Sequence, residues 1–250
     1  MAKSLASSIP GTELSALDKI QLPAVFTSKP PDLISRFNVP YLVFVHPQAK
    51  EQWMNIARKI HNLEEGDPIL IMNEHEFFRP KPLKISLLNA KQYFAVVDPT
   101  GDELSAHRGE GPGRVERIWT ALIVYEENRI IPCTCLFKTT KCAAIHTIKN
   151  AMSESTDADW VNRGPEFAAA AKVCASPQLH FARVIATITL VSKVGKRSGL
   201  VYKMTKAFIE PSGPKEWSLL QTVGTPEVLE SLKNVALAFQ SKAKDEELKD

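Results

Sequence analysis

Residues Arg117 to Met152 read RIWTALIVYEENRIIPCTCLFKTTKCAAIHTIKNAM, and the parsing of this stretch decides the fold. Ile118, Thr120, Leu122 and Val124 alternate with Trp119, Ala121, Ile123 and Tyr125, so a strand here carries mostly β-branched, apolar or aromatic residues on both faces and is buried on both. The polar Glu126-Glu127-Asn128 has hairpin length, and the apolar run Ile130 to Phe137 returns as a second strand. Pro132 lacks an amide hydrogen, which predicts an edge, a bulge or a strand start at that point. After Lys138-Thr139-Thr140-Lys141 the period changes. Ala144, Ile145 and Ile148 recur at helical spacing, with Thr139 or Thr140 available as a cap. A helix start between two lysines suits an anion.

Upstream, residues 1–36 mix Ser, Pro and Lys without periodicity and read as an extended arm. Tyr41 to Val45 is a strand, followed after Pro47 by a helix presenting Trp53, Ile56, Ala57 and Ile60, and Pro68 to Met72 is another strand. The prolines of Phe77-Phe78-Arg79-Pro80-Lys81-Pro82 interrupt regular structure. Leu83 to Leu88 and Gln92 to Val97 read as two strands, then Asp98-Pro99-Thr100-Gly101 as a turn and Gly109 to Arg114 as a glycine-rich loop. Downstream come helical pieces over 157–175 and a hairpin of Phe181 to Val191 with Leu200 to Ile209. A short strand around Trp217 to Leu220 follows, then a helix opened by Thr225-Pro226 with Leu229, Leu232, Ala236 and Phe239 on one stripe. Mostly hairpin-length connections imply an α+β fold on a mainly antiparallel sheet. An OB-like, partly closed barrel elaborated with helices is one economical solution, and a twisted open sheet with helices on one face is the other. The division expected is an arm over 1–36, a single core domain over 37–222, and a C-terminal helix with a charged tail over 223–250.

With 250 residues, 44% of them hydrophobic, the chain can bury a sizeable core. A formal net charge of +3 is too small for a global field, so any nucleic-acid role must come from a local patch. Four unevenly spaced cysteines do not make a secreted disulfide framework, and neither a signal-peptide pattern nor a long apolar run is present; a cytoplasmic setting is expected.

Four chemistries compete. Cys133 and Cys135 share a strand face while Cys142 and His146 lie a helical turn apart, a soft-ligand set of the kind zinc takes, although the first spacing is shorter than in zinc knuckles. Nucleophilic catalysis would use one of these cysteines or a serine served by His46, His75, His107, His146 or His180, but no nucleophile elbow or cysteine–histidine signature accompanies them; a small metal-dependent hydrolase using the cysteine–histidine cluster is the second alternative for function. Gly109, Gly111, Gly113 and Arg114 lack the Walker pattern and read as loop glycines. Single-stranded nucleic acid needs cations for phosphates and rings for bases. The chain offers Arg79, Lys81, Lys138, Lys141, Lys196 and Arg197 for the first and Tyr93 and Tyr125 for the second.

From Leu122-Ile123-Val124-Tyr125 through Ile131-Pro132 to Phe137-Lys138-Thr139-Thr140-Lys141 the chain resembles uncharacterised proteins of tailed bacteriophages and prophages, in which an apolar strand, a proline and a Phe-Lys-[Ser/Thr]-Thr turn lead into a helix. The likeness extends loosely back to Gly66-Asp67-Pro68 and on to the hairpin of Phe181 to Ile209. The resemblance implies a phage-like context of DNA replication, recombination or host takeover, hence the host cytoplasm, and it transfers no catalytic residue. The reading is non-catalytic binding of single-stranded DNA without a cofactor, with self-association or replication proteins as further partners and no membrane. A phage structural or host-interaction module is the alternative.

Overall fold

The computed structural model describes residues 39–44, 67–72, 77–78, 80, 82–99, 103–154, 184–195, 199, 201–211 and 226–241, with single positions at 162, 164, 165, 215, 216 and 219. Among these residues nine strands form one sheet: β1 (Tyr41–Phe44), β2 (Pro68–Ile71), β3 (Phe77–Phe78), β4 (Leu83–Val97), β5 (Glu103–His107), β6 (Arg114–Tyr125), β7 (Ile130–Lys138), β8 (Val184–Val194) and β9 (Val201–Pro211). Their order is β3-β2-β1-β7-β6-β4-β8-β9, with β5 also on β4. Two long helices accompany them, α1 (Cys142–Glu154) and α2 (Pro226–Ser241). The fold is mixed α+β, and the sheet is curled and partly closed. Its pairings are antiparallel except for β1 with β7, which runs parallel and was not expected from the hairpin-length turns.

The central hairpin forms as its alternation requires, with Leu122 opposite Cys133 and Arg117 opposite Lys138. Even-numbered β6 residues and odd-numbered β7 residues join a core with Ala144, Ile145 and Ile148 of α1. Trp119 and Ala121 point to the other face, where they pack with Tyr41, Val235 and Ala238, the last two from α2. Helices therefore cover both faces, not one. A sheet so covered explains why β6 is buried throughout from Arg117 and, Thr120 apart, apolar from Ile118. Pro132 lies inside the sheet at a local edge. The Thr134 amide donates to Pro40 O, and Pro132, two residues earlier with the same orientation, precedes the first β1 partner.

Two expected strands, Leu83 to Leu88 and Gln92 to Val97, are one strand of 15 residues. Its pairing with β6 shifts between Leu87 and Asn89, leaving Leu88 as an extra residue. Such a bulge exchanges the two faces. Before it Ile85 and Leu87 enter the α1-side core; beyond it Tyr93 and Ala95 enter the α2-side core. The same strand pairs β8 through Leu83 to Ile85 and β5 through Phe94 to Val97, so its free edge serves two different hairpins. The bulge has a local signature in Asn89, whose Oδ1 accepts a hydrogen bond from the Ala90 amide.

The expected arm over 1–36 and the helix bearing Trp53 to Ile60 lie outside the described residues, as do all but three positions of the helical pieces over 157–175. The strand expected around Trp217 to Leu220 is not found at its one described position, Leu219, which is helical. In α2 the expected Leu232 and Ala236 are buried, Leu229 is half-buried, and Val235 and Ala238 join them.

Thr134 is fully buried and its hydroxyl has no hydrogen-bond partner among the described residues, on the face packed by α2. A buried unsatisfied hydroxyl is destabilising. Thr134→Val is therefore expected to raise the unfolding free energy by about 1 kcal/mol in urea titrations; a loss of stability would show that the hydroxyl has a role the fold does not reveal.

Candidate nucleic-acid interface

The basic segment after β7 is exposed at Lys138, Thr139 and Thr140, and half-buried at Lys141. It does not pass directly into α1. Thr139 to Lys141 form a 3-10 turn, Lys138 stays extended as its cap, and neither expected threonine cap is made. Thr139 instead adopts φ 49°, the left-handed region that a β-branched residue rarely enters. The turn is held from the far end of the chain. Thr205 Oγ1 of β9 donates to Lys141 O at 2.9 Å, so the outer hairpin fixes the start of α1.

Beside this turn the sheet end carries a polar row on the α1 side. Register places His107, Phe94 and Glu116 side by side on β5, β4 and β6, and Ser105, Val96 and Arg114 in the next row. Glu116 Oε1 accepts from Gln92 Nε2 at 2.7 Å and lies 2.7 Å from His146 Nε2, joining β6 to α1. Ser105 Oγ lies 2.9 Å from His107 Nε2. Arg114 folds back so that its guanidinium donates to Gly109 O at 3.0 Å. A side chain at Gly111 would meet that guanidinium at 2.9 Å, which accounts for one of the loop glycines, and Gly113 at φ 70° accounts for another. Gln92 is exposed, and Phe94, Arg114 and His107 are partly so.

The sequence-assigned residues separate sharply. Lys138 and Lys141 flank the exposed turn, whereas Arg79, Lys81, Lys196 and Arg197 lie outside the described residues. The assignment of Tyr93 and Tyr125 as stacking rings requires correction. Tyr93 is 1% exposed and Tyr125 5%, so neither presents a face to a base. Tyr93 donates its hydroxyl to Glu103 Oε1 at 3.0 Å, and Glu103 also receives Arg117 Nε at 3.3 Å. Tyr125 shares a 3.0 Å hydrogen bond with Ser86 Oγ. The ring that does reach the surface of this sheet end is Phe94, the neighbour of Tyr93. The signal that finds it is the extra residue at Leu88, which a period count along β4 alone misses.

The proposed sulfur and imidazole ligands do not assemble. Cys133, Cys135 and Cys142 are buried in the apolar layer beneath α1, and His146 faces Glu116. Among the described residues no group of three or more His, Cys, Asp or Glu side chains converges as a metal site, and no helix is long and apolar enough to cross a membrane. Burial pushes the thiols of Cys133 and Cys135 well above their usual range and that of Cys142 up to about 12. Burial likewise raises the phenols of Tyr41 and Tyr93. No protein-family model matches the chain, and no curated protein and no solved structure matches it.

Groups harder to ionise in the folded chain contribute stability that is complete below their unfolded pKa and is lost as pH rises toward the folded value. With Cys142 ionising near 9 unfolded and at about 12 folded, stability is expected to fall from pH 9 upward. Urea midpoints should drop steadily above about pH 9, and less steeply in Cys142→Ala. A flat profile through the alkaline range would contradict the buried placement of these groups.

Proposed function

We propose that the chain binds single-stranded DNA without catalysing a reaction on it, in a phage-like replication or recombination setting. The observation that carries this reading is the partly exposed Phe94 ring on the same sheet end as the exposed Lys138 to Thr140 segment. A ring offers a π-face to any base and lysines neutralise phosphates, which is the combination that sequence-tolerant strand binding uses; here Lys138, opposite Arg117, starts from the α2 side two strands from Phe94, so a bound strand would pass around the sheet end to meet both. Gln92 and Arg114 share the α1 side of the sheet with Phe94 and supply hydrogen-bond donors around the ring. A curved open sheet is compatible in shape with nucleic-acid-binding folds in general, OB-like barrels among them.

The Glu116 carboxylate is engaged by Gln92 and His146, and the phosphates are assigned to the lysine turn, not to this row. Arg79, Lys81, Lys196 and Arg197 remain in the proposal as phosphate ligands assigned from sequence. The phage setting rests only on the resemblance carried by residues 122–141 and its looser extensions to Gly66-Asp67-Pro68 and the hairpin of Phe181 to Ile209.

The test is fluorescence anisotropy of a labelled thymidine oligonucleotide at two salt concentrations. Binding should weaken steeply with salt, and Lys138→Ala with Lys141→Ala should flatten the log–log salt slope by roughly 1.4, two single-strand phosphate contacts. Phe94→Ala should cost about 1–3 kcal/mol and leave the slope unchanged, while Tyr93→Phe should leave affinity unchanged. Flat anisotropy at both salts would overturn the proposal.

A further inference from the structure

Among the described residues β9 ends the sheet, paired on one side to β8 over its whole length from Val201 to Pro211. Its outward edge is long, and long edges attract other strands unless charge or proline makes them selective. β9 carries both. Lys206, Phe208 and Glu210 alternate onto one face, Thr205, Ala207 and Ile209 onto the other, and Pro211 closes the strand. Phe208 is 51% exposed, among the largest apolar exposures on the molecule, with the Lys206 ammonium 5.7 Å from its ring centroid.

We infer that β9 pairs antiparallel with β9 of a second copy about a twofold axis through Phe208. A twofold axis normal to the sheet requires opposed residues to lie on the same face, so only registers with an even index sum are allowed. Centring on Lys206 would set two ammonium groups against each other, which is unfavourable. Centring on Phe208 sets Phe208 against Phe208, Lys206 against Glu210 twice, and Ala207 against Ile209 twice. The last pair extends the apolar layer to which Ala207 and Ile209 already belong as partly buried members. Glu210 can accept the incoming lysine. Its side chain is 42% exposed, and its oxygens accept from Thr187 and Lys84 while leaving lone pairs unused.

The result is a sheet continuous through two molecules, with both Phe208 rings side by side on one surface. This pairing stands independently of nucleic-acid binding, because the edge supplies backbone groups and both faces stay as they are.

Sedimentation velocity of the full chain in nucleic-acid-free buffer reads it directly. The wild type is expected to show a concentration-dependent monomer–dimer equilibrium. Lys206→Glu alone sets four carboxylates at the axis and Glu210→Lys alone sets four ammonium groups there, so each should weaken dimerisation by about tenfold or more. Mixing the two variants should restore it, because each copy then offers what the other lacks. Phe208→Cys, at an exposed position, should form a disulfide-linked dimer under a mild oxidant when wild type does not. A wild type that stays monomeric at every concentration, or a dimer that both charge variants retain with no cross-link through Cys at 208, overturns the inference. DNA affinity plays no part in these readings, so failure here and failure of the DNA-binding proposal are separable.

Discussion

Side chains along a strand alternate strictly, so one inserted residue exchanges its faces, and what this sheet presents depends on the insertion at Leu88 in β4. Without it, Tyr93 and Ala95 would follow Ile85 and Leu87 into the layer under α1, and Phe94 would go to the α2 side. With it, Tyr93 fills the α2-side core beside Trp119 and Tyr41, and Phe94 lies between His107 and Glu116. The bulge also separates the part of β4 that pairs β8 from the part that pairs β5. A bulge also bends its strand locally, and a second irregularity follows between Val96 and Val97 where β4 pairs β5.

Two consecutive residues of β6 then tie down the end of the sheet from opposite sides. Arg117, 4% exposed, points to the α2 side and meets Glu103 of β5, which also takes the Tyr93 hydroxyl. A buried guanidinium needs such a partner, since removing it would leave an uncompensated charge. Glu116 points the other way and meets His146 of α1 and Gln92 of β4. The start of α1 is further fixed by Cys142 Sγ donating to Phe137 O at 3.4 Å and by the Thr205 bond to Lys141 O. The exposed turn from Lys138 is therefore held on a rigid base, which is what lets Thr139 persist at φ 49°.

Much of the fold was legible because it is carried by short-range signals. The central hairpin, the helix α1 after it and the β8–β9 hairpin follow from period and hairpin-length turns, and the observed registers agree with that alternation, although a 3-10 turn without the expected threonine cap precedes α1. Three features were not legible. The bulge looks like two strands, because Asn89 to Lys91 read as a polar break when they continue β4. The parallel β1–β7 pair joins residues almost a hundred positions apart, a contact that no local pattern encodes. Burial of Tyr93 and Tyr125 depends on tertiary partners, Glu103 and Ser86, distant in sequence from at least one ring. The candidate site divides in the same way: the turn from Lys138 to Lys141 is a local signal, whereas the burial of Tyr93 and the partial exposure of Phe94 depend on the register of β4.

In the proposed DNA-binding role Phe94, not Tyr93, faces the strand. Ultraviolet cross-linking to a thymidine oligonucleotide, with tandem mass spectrometry to place the adduct on a single residue, tests this most directly. Adducts on Phe94 and within Lys138 to Lys141 are the predicted result. Adducts on Tyr93 or Tyr125 in the folded protein, or confined to the surface of α2, would contradict it.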